Sequence, residues 1–277
     1  MEIKKLTTLG PDGTYASQGV KKYFSSSEIV FVPTISDILV AGARGGAIVL
    51  PLENSIEGTV RLSWDGLLEK RLFLSGIFGM SIRHALGTKC RKLSDVKIVV
   101  SHPQAISQCR KFIDRYLKGV KIEYVGSTAE AVKKAASSRG ASRGAGVAAI
   151  ASPYACELYG LPILRSEIED EKGNVTIFGV AGKKDLWPES RKDEMHVMVT
   201  PRRNMAGVLF GILKPFNDYG IDLTRLESRP TRKKMGEYRF LLSFKAGLGV
   251  DASHIVTILK VLKKNNKVDV LGASINF

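Results

Sequence analysis

Over the first two thirds of the chain, short apolar runs alternate with stretches whose apolar residues recur at helical spacing. Lys5–Leu9, Ile29–Val32, Ala47–Leu50, Lys97–Val100, Lys121–Val125 and Val147–Ile150 read as strands. Tyr15–Phe24, Ile35–Ala43, Gln104–Leu117 and Ala129–Ser138 read as helices between them. Within Gln104–Leu117, the residues Ile106, Cys109, Ile113 and Leu117 follow one helical face. This alternation predicts an α/β architecture with largely parallel sheets. Ser127-Thr128-Ala129-Glu130 has capping-box spacing, so a helix should start there. Pro103 sits where the first turn of a helix tolerates proline. Ser137–Gly146 is rich in small residues and arginine and reads as an exposed loop.

The rhythm changes at Lys183–Asp193, a polar stretch containing Pro188, which sets a domain boundary between residues 1–185 and 193–277. Beyond it, Met195–Val199, Leu223–Glu227, Tyr238–Phe244 and Val268–Ile275 read as strands, and Gly207–Tyr219 and Ser253–Asn265 as helices. The order is βαββαβ, a ferredoxin-like α+β arrangement.

Composition narrows the class. A hydrophobic content of 44% and a charged content of 25% are ordinary for a globular chain. Its 277 residues suffice for one large core or two modest ones. No stretch approaches the roughly 20 apolar residues of a membrane helix, and the first ten residues lack the apolar run of a secretory signal. A cytoplasmic protein with no membrane partner is expected. Cys90, Cys109 and Cys156 are odd in number and widely spaced, which points to free thiols rather than disulfides or a zinc site. The histidines (His84, His102, His196, His254) are too scattered for a metal cluster.

The net charge of +15 attracts anions, whether nucleic acid, an acidic membrane or a small substrate. No helix-turn-helix, zinc finger or RNP pattern is present. The basic residues are dispersed, as in Lys21-Lys22, Arg202-Arg203, Arg232-Lys233-Lys234 and Lys263-Lys264. Nucleic acid is therefore not an expected partner, and solvated faces account for the charge.

Four segments are more specific than secondary structure requires. Gly10-Pro11-Asp12-Gly13-Thr14-Tyr15 is a glycine-rich turn between a strand and a helix, where exposed N–H groups suit an anion. Pro51-Leu52-Glu53-Asn54-Ser55-Ile56-Glu57-Gly58-Thr59 puts polar side chains at the end of a strand, where open α/β sheets bind ligands. Ser101-His102-Pro103-Gln104-Ala105-Ile106-Ser107-Gln108-Cys109 also lies at a strand end, with Gln104 and Gln108 on one helical face. Gly173-Asn174-Val175-Thr176-Ile177-Phe178 places a threonine in an apolar strand. Each alone has a plainer reading: a turn, a capped loop, a hydrogen-bonded loop histidine, a β-forming threonine.

Together, and in this order, the segments resemble the signature of the prephenate dehydratase family from Leu6 to about Gly182, with Ser127-Thr128-Ala129-Glu130-Ala131 and Ala148-Ala149-Ile150-Ala151-Ser152 adding to it. Asn174-Val175-Thr176-x-Phe178 resembles the family's catalytic Thr-Arg-Phe segment. Past the boundary, Gly207-Val208-Leu209 is similar to the Gly-Ala-Leu motif of the family's ACT regulatory domain. Leu226-Glu227-Ser228-Arg229-Pro230 matches its Glu-Ser-Arg-Pro motif.

The resemblance implies a fold of two α/β lobes like a type II periplasmic binding protein, followed by the ACT domain. The first lobe would hold roughly Met1–Gly79 and the segment around Thr176, and the second Met80–Leu164. It implies conversion of prephenate to phenylpyruvate, water and carbon dioxide, with no cofactor and no metal. Thr176 would be catalytic. Thr14, Glu53, Asn54, Ser55, Glu57, Ser101, Gln104, Gln108, Ser127 and Phe178 would form the substrate site. L-phenylalanine would act as an effector at Gly207, Val208, Leu209, Asp222, Leu226, Glu227, Ser228, Arg229 and Pro230, in a homodimer or homotetramer. Ile177 stands where the family has arginine, so a bidentate partner for a substrate carboxylate is missing there, with Arg61, Arg83 or His84 as candidates to replace it. Ala206, Val208 and Asp222 also depart from the ACT pattern. Arogenate dehydratase and a non-catalytic amino-acid sensor are the rival readings.

Overall fold

The computed structural model describes residues 3–138, 146–203, 205–231 and 236–277. Part of the Ser137–Gly146 loop and the Arg232-Lys233-Lys234 cluster lie outside them. The chain opens with a parallel unit: β1 (Lys5–Leu9), α1 (Tyr15–Tyr23), β2 (Glu28–Val32), α2 (Ile35–Ala43) and β3 (Ala47–Asn54), with β1 between β2 and β3. β3 is nearly all apolar up to Leu52 because α1 and α2 cover it from both faces. A short β4 (Gly58–Thr59), α3 (Arg61–Lys70) and β5 (Phe73–Ser81) complete the first pass through this lobe.

The chain then crosses to a second sheet. Its elements are β6 (Ala85–Thr88), β7 (Ile98–Ser101), α4 (Pro103–Gln108), α5 (Arg110–Tyr116), β8 (Lys121–Tyr124), α6 (Thr128–Ser137), β9 (Val147–Ala151), α7 (Pro153–Leu158) and β10 (Ile163–Arg165). The strand order is β10-β6-β9-β7-β8, with β7 parallel to both neighbours. The chain returns as β11 (Val175–Gly182), which slots antiparallel between β5 and β3. Two crossings thus join the lobes, at 82–84 and 166–174. Met80 lies in β5, paired with Thr176, so the first lobe extends past the expected Gly79 boundary.

The region expected as one helix from Gln104 to Leu117 is broken at Cys109. The second crossing causes the break. The Asp170 N–H donates to the Gln108 carbonyl at 2.7 Å, and the Asp170 carboxylate accepts the Lys111 N–H at 3.1 Å, which caps a new helix.

After a polar connection comes β12 (Glu194–Pro201), α8 (Val208–Asp218), β13 (Leu223–Pro230), β14 (Tyr238–Lys245), α9 (Ala252–Asn265) and β15 (Asn266–Asn276). The sheet order β13-β14-β12-β15 is ferredoxin-like. β15 runs on to pair in parallel with β5, which fuses this sheet with the first lobe's into one of ten strands. Gly272 permits the join: its φ is +154°, and a Cβ there would collide with the Leu74 backbone. Met198, Leu241 and Leu271 share a core with Trp64, Leu67 and Leu74 of the first lobe. The fold is thus a type II two-lobed α/β unit carrying a ferredoxin-like C-terminal domain.

Candidate active site

The site is assembled at the cleft between the lobes, where the described residues enclose a cavity of about 270 Å³. Strand ends and helix starts supply its lining. Asn54 ends β3, Thr176 and Phe178 lie on β11, and His84 lies on the first crossing. Thr14 and Tyr15 at the start of α1 line it from the same lobe, and Gln104 and Gln108 of α4 with Ser127 and Thr128 at the start of α6 line it from the second.

The helix starts are built by their own sequence. The Thr14 Oγ1 accepts from the Ser17 N–H at 3.2 Å and donates to the Leu9 carbonyl at 3.1 Å. The Ser127 Oγ accepts from the Glu130 N–H at 3.1 Å, while the Glu130 carboxylate takes the Gly126 N–H at 3.0 Å. The Ser127 half is the cap that the spacing predicts, while the Glu130 carboxylate closes on the N–H of Gly126, one residue before the cap, rather than on that of Ser127 itself. No lysine or arginine is among the residues lining the cavity. What α1 and α6 bring to the lining is their N-termini, and a helix N-terminus is equivalent to about half a positive charge.

One hydrogen-bond network organises the strand wall. The Asn54 Oδ1 accepts the backbone N–H groups of Ile56 and Glu57 at 3.0 and 3.1 Å. That fixes its amide, so Nδ2 donates to the Thr176 Oγ1 at 3.0 Å and the Asn174 Oδ1 at 2.7 Å. Thr176 therefore uses a lone pair on Asn54 and keeps its own proton free for the cleft. Asn174, only 3% exposed, also accepts from the Ser55 Oγ at 3.2 Å and donates to the Gln108 Oε1 at 3.5 Å. Burial holds the His84 imidazole below its ordinary pKa, against the bond to Gln108 and the charge of Glu169, so it is neutral at pH 7. Burial pushes the Tyr15 phenol up; its oxygen is held by the backbone of Arg83.

The structure brings Thr14, Asn54, Gln104, Gln108, Ser127, Thr176 and Phe178 together around the cavity. It does not bring Glu53, Ser55, Glu57 or Ser101 to its lining. Glu53 points the other way and pairs with Arg225 of β13. Ser55 is one step removed, donating to Asn174 and accepting the Val175 N–H at 3.0 Å. Glu57 lies on a separate surface depression beside Lys111 and Glu171. Ser101 is fully buried and spends its hydroxyl on the Ile150 carbonyl at 2.6 Å.

Ile177 also corrects an expectation. Its strand neighbours are Glu53 and Gly79, and it shares their face, while Thr176 and Phe178 line the cleft. A side chain at 177 therefore does not reach the substrate side. Of the candidate stand-ins, Arg83 is exposed and paired with Glu167 at 3.0 Å, Arg61 does not line the cavity, and His84 does. Sequence reasoning gave too little weight to Tyr15, His84 and Asn174. For Asn174 the signal was available, because two residues' spacing from Thr176 places both on one strand face.

In the C-terminal domain, Gly207 adopts φ +80° before α8 and, with Val208, lines a cavity of about 560 Å³ that also includes Arg202, Arg203 and Lys264. Leu209 is exposed. Asp222 pairs with Lys245 at 2.8 Å. Along the edge strand β13, Leu226, Ser228 and Pro230 face outward. Glu227 and Arg229 face inward, with Arg229 buried against Asp65 of α3 at 3.2 Å. Within one chain the expected effector residues therefore do not converge on a single cavity.

Comparison with known proteins gives the family. A sequence profile described as prephenate dehydratase matches residues 6–186. The prephenate dehydratase of Methanocaldococcus jannaschii is 36% identical over 270 residues, covering 95% of this chain and 94% of that protein. The bifunctional chorismate mutase/prephenate dehydratase of Pseudomonas aeruginosa is 33% identical over 244 residues, and the match spans only 65% of that longer protein. The crystal structure of the Arthrobacter aurescens prephenate dehydratase in complex with L-Phe superposes with a TM-score of 0.84 at 26% identity, covering 98% of this chain and 89% of the other. A donor-lined cleft with Thr176 held by Asn54, on a chain matched this extensively, shows that the protein belongs to the prephenate dehydratase family.

Proposed function

We propose that the protein converts prephenate to phenylpyruvate in the formation of L-phenylalanine. The observation that carries this reading is the hydrogen bond from Asn54 to Thr176 at 3.0 Å, which leaves a hydroxyl proton available in a cleft built for an anion. Prephenate is a dianion with a ring hydroxyl. When the ring carboxylate leaves as carbon dioxide, its bonding electrons enter the ring and expel the hydroxyl. That oxygen departs as water, so each turnover consumes one proton, and the ring becomes aromatic. Thr176 donates a hydrogen bond to the departing oxygen as negative charge builds on it. Asn54 orients Thr176, and Ser55 locks Asn174 behind it. Gln104, Gln108 and Ser127, with the helix N-termini, hold the carboxylates, while Thr14, whose hydroxyl proton goes to the Leu9 carbonyl, fixes the start of α1 beside them. Phe178 supplies an apolar wall for the ring.

Neutral donors suit prephenate better than arogenate. No aspartate or glutamate is among the residues lining this cavity, so no carboxylate there pairs with arogenate's ammonium group. The sensor reading loses its support, since Ile177 lies on the far face of β11. Turnover of both substrates by the purified protein tests this: prephenate is expected to be preferred, and a preference for arogenate would overturn the assignment.

The division into a catalytic unit of residues 1–185 and an ACT regulatory domain of 193–277 is part of the same proposal. The βαββαβ order and the Glu227-Ser228-Arg229-Pro230 segment support it, as does the L-Phe complex of the Arthrobacter relative. β13 is a free sheet edge, which favours pairing of two chains edge to edge as a homodimer or, doubled, a homotetramer. Three unpaired, buried cysteines fit a cytoplasmic location, and no helix among the described residues is long and apolar enough to cross a membrane.

A further inference from the structure

Two backbone amides determine the tautomer of a histidine at the far end of the network. The N–H groups of Ile56 and Glu57 fix the Asn54 Oδ1, which turns Nδ2 toward the Asn174 Oδ1. Asn174 must then present its own Nδ2 to Gln108, whose nearer atom is therefore the acceptor Oε1. The same Oε1 lies 3.0 Å from the His84 Nε2. Because an oxygen needs a donor, His84 carries its proton on Nε2. Flipping Gln108 would set its amino group against the Asn174 amino group, two donors facing each other.

The consequence falls on Gln108. With Oε1 claimed from both sides, its Nε2 amino group has no partner among the described residues although it is shielded from water, and the His84 Nδ1, left as an acceptor, is buried without one as well. A buried donor left unpaired is costly, and such groups in native structures call for an explanation. Gln108 lines the cleft cavity on one side and the surface depression beside Glu57 on the other. We infer that His84 is a positioning residue: it holds Gln108 so that the amide N–H donates to an oxygen of the substrate's carboxylate or keto group. His84 is well placed for this, being 2% exposed. Its backbone N–H is bonded to the Glu169 carboxylate at 2.9 Å and its carbonyl accepts the Ile168 N–H at 3.0 Å. Gln108 is thereby tied to both crossings between the lobes, through His84 to one and through Asn174 to the other.

The inference rests on prephenate being the substrate, and its test separates the two. Wild type, His84→Gln, His84→Asn, Gln108→Ala and the double variant His84→Asn/Gln108→Ala are assayed with prephenate. Glutamine places an N–H near the imidazole Nε2 position; asparagine is polar but too short to reach Gln108. We expect His84→Gln to stay within about threefold of wild type in kcat/KM, with His84→Asn and Gln108→Ala each losing roughly tenfold, the order of one hydrogen bond to a charged group. The loss should fall chiefly on KM, and the double variant should be no worse than Gln108→Ala alone. Equal loss in His84→Gln and His84→Asn, multiplicative loss in the double variant, or failure of His84→Gln to fold would overturn the positioning role. An inactive wild type would instead defeat the substrate assignment.

Discussion

Thr176→Val removes one hydroxyl and keeps the shape of the side chain. In the folded protein, that hydroxyl accepts from Asn54 at 3.0 Å and directs its proton into the cleft. After the change, Asn54 Nδ2 still has the Asn174 Oδ1 at 2.7 Å, so no buried donor is wholly orphaned. Stability should fall by only about 0.5–1.5 kcal/mol, the net worth of one hydrogen bond. The effect on chemistry is larger. Loss of a preorganised donor to a developing oxyanion costs about 2.7–4 kcal/mol, or roughly 10²–10³-fold. It should appear in kcat, with KM within about threefold of wild type, because the leaving oxygen gains charge only as the bond breaks. Thr176→Ser, which keeps the hydroxyl, should retain most of the rate. Phenylpyruvate release from prephenate, corrected for the acid-driven background, measures both variants. A folded Thr176→Val protein with kcat within threefold of wild type would refute the role given to this hydroxyl.

Other expectations follow from the same geometry. Ile177→Arg should leave the KM for prephenate within about twofold of wild type, because position 177 faces Glu53 and Gly79; a marked fall in KM would show that it reaches the substrate. Asp65→Ala removes the buried carboxylate that pairs with Arg229 at 3.2 Å and Arg239 at 2.6 Å. Breaking such a pair costs about 3–5 kcal/mol, so thermal unfolding should begin roughly 10 °C lower; an unchanged melting curve would contradict the interdomain contact. His196 is buried between the Ser243 and Ser274 hydroxyls, and burial, with Arg225 adding to it, pushes its pKa down to about 3. The unfolded chain takes up that proton first, at about pH 6.5. The stability contribution is therefore complete above pH 6.5 and lost as pH falls toward 3. In urea titrations, the stability difference between wild type and His196→Asn should shift by about 2 kcal/mol against wild type between pH 7 and pH 5, and a constant difference would refute the buried neutral imidazole.

What the sequence could reveal was set by the range of the interactions involved. The helix starts at Thr14 and Ser127 were legible because their caps are closed by residues three positions on. The βαββαβ order was legible from apolar runs of ordinary length. The break at Cys109 was not, because Asp170, on the distant return segment, causes it. β5 was missed because Gly76 and Gly79 interrupt its apolar pattern, and the join of β15 to β5 depends on one glycine, Gly272. In the site, motif membership grouped Glu53 with Asn54. The strand's two-residue period sends them to opposite faces, one to Arg225 and the other to Thr176. The same period turns Ile177 away from the cleft. Ser101 belongs to the motif, but its partner is a carbonyl on the neighbouring strand, which no local pattern announces.

The most direct test of the central claim is phenylpyruvate formation from prephenate by the purified wild-type protein, with and without L-phenylalanine. Turnover well above the acid background, suppressed by L-phenylalanine, is the predicted result. A folded protein that gives no phenylpyruvate above background would contradict the assignment of the cleft as a prephenate dehydratase site.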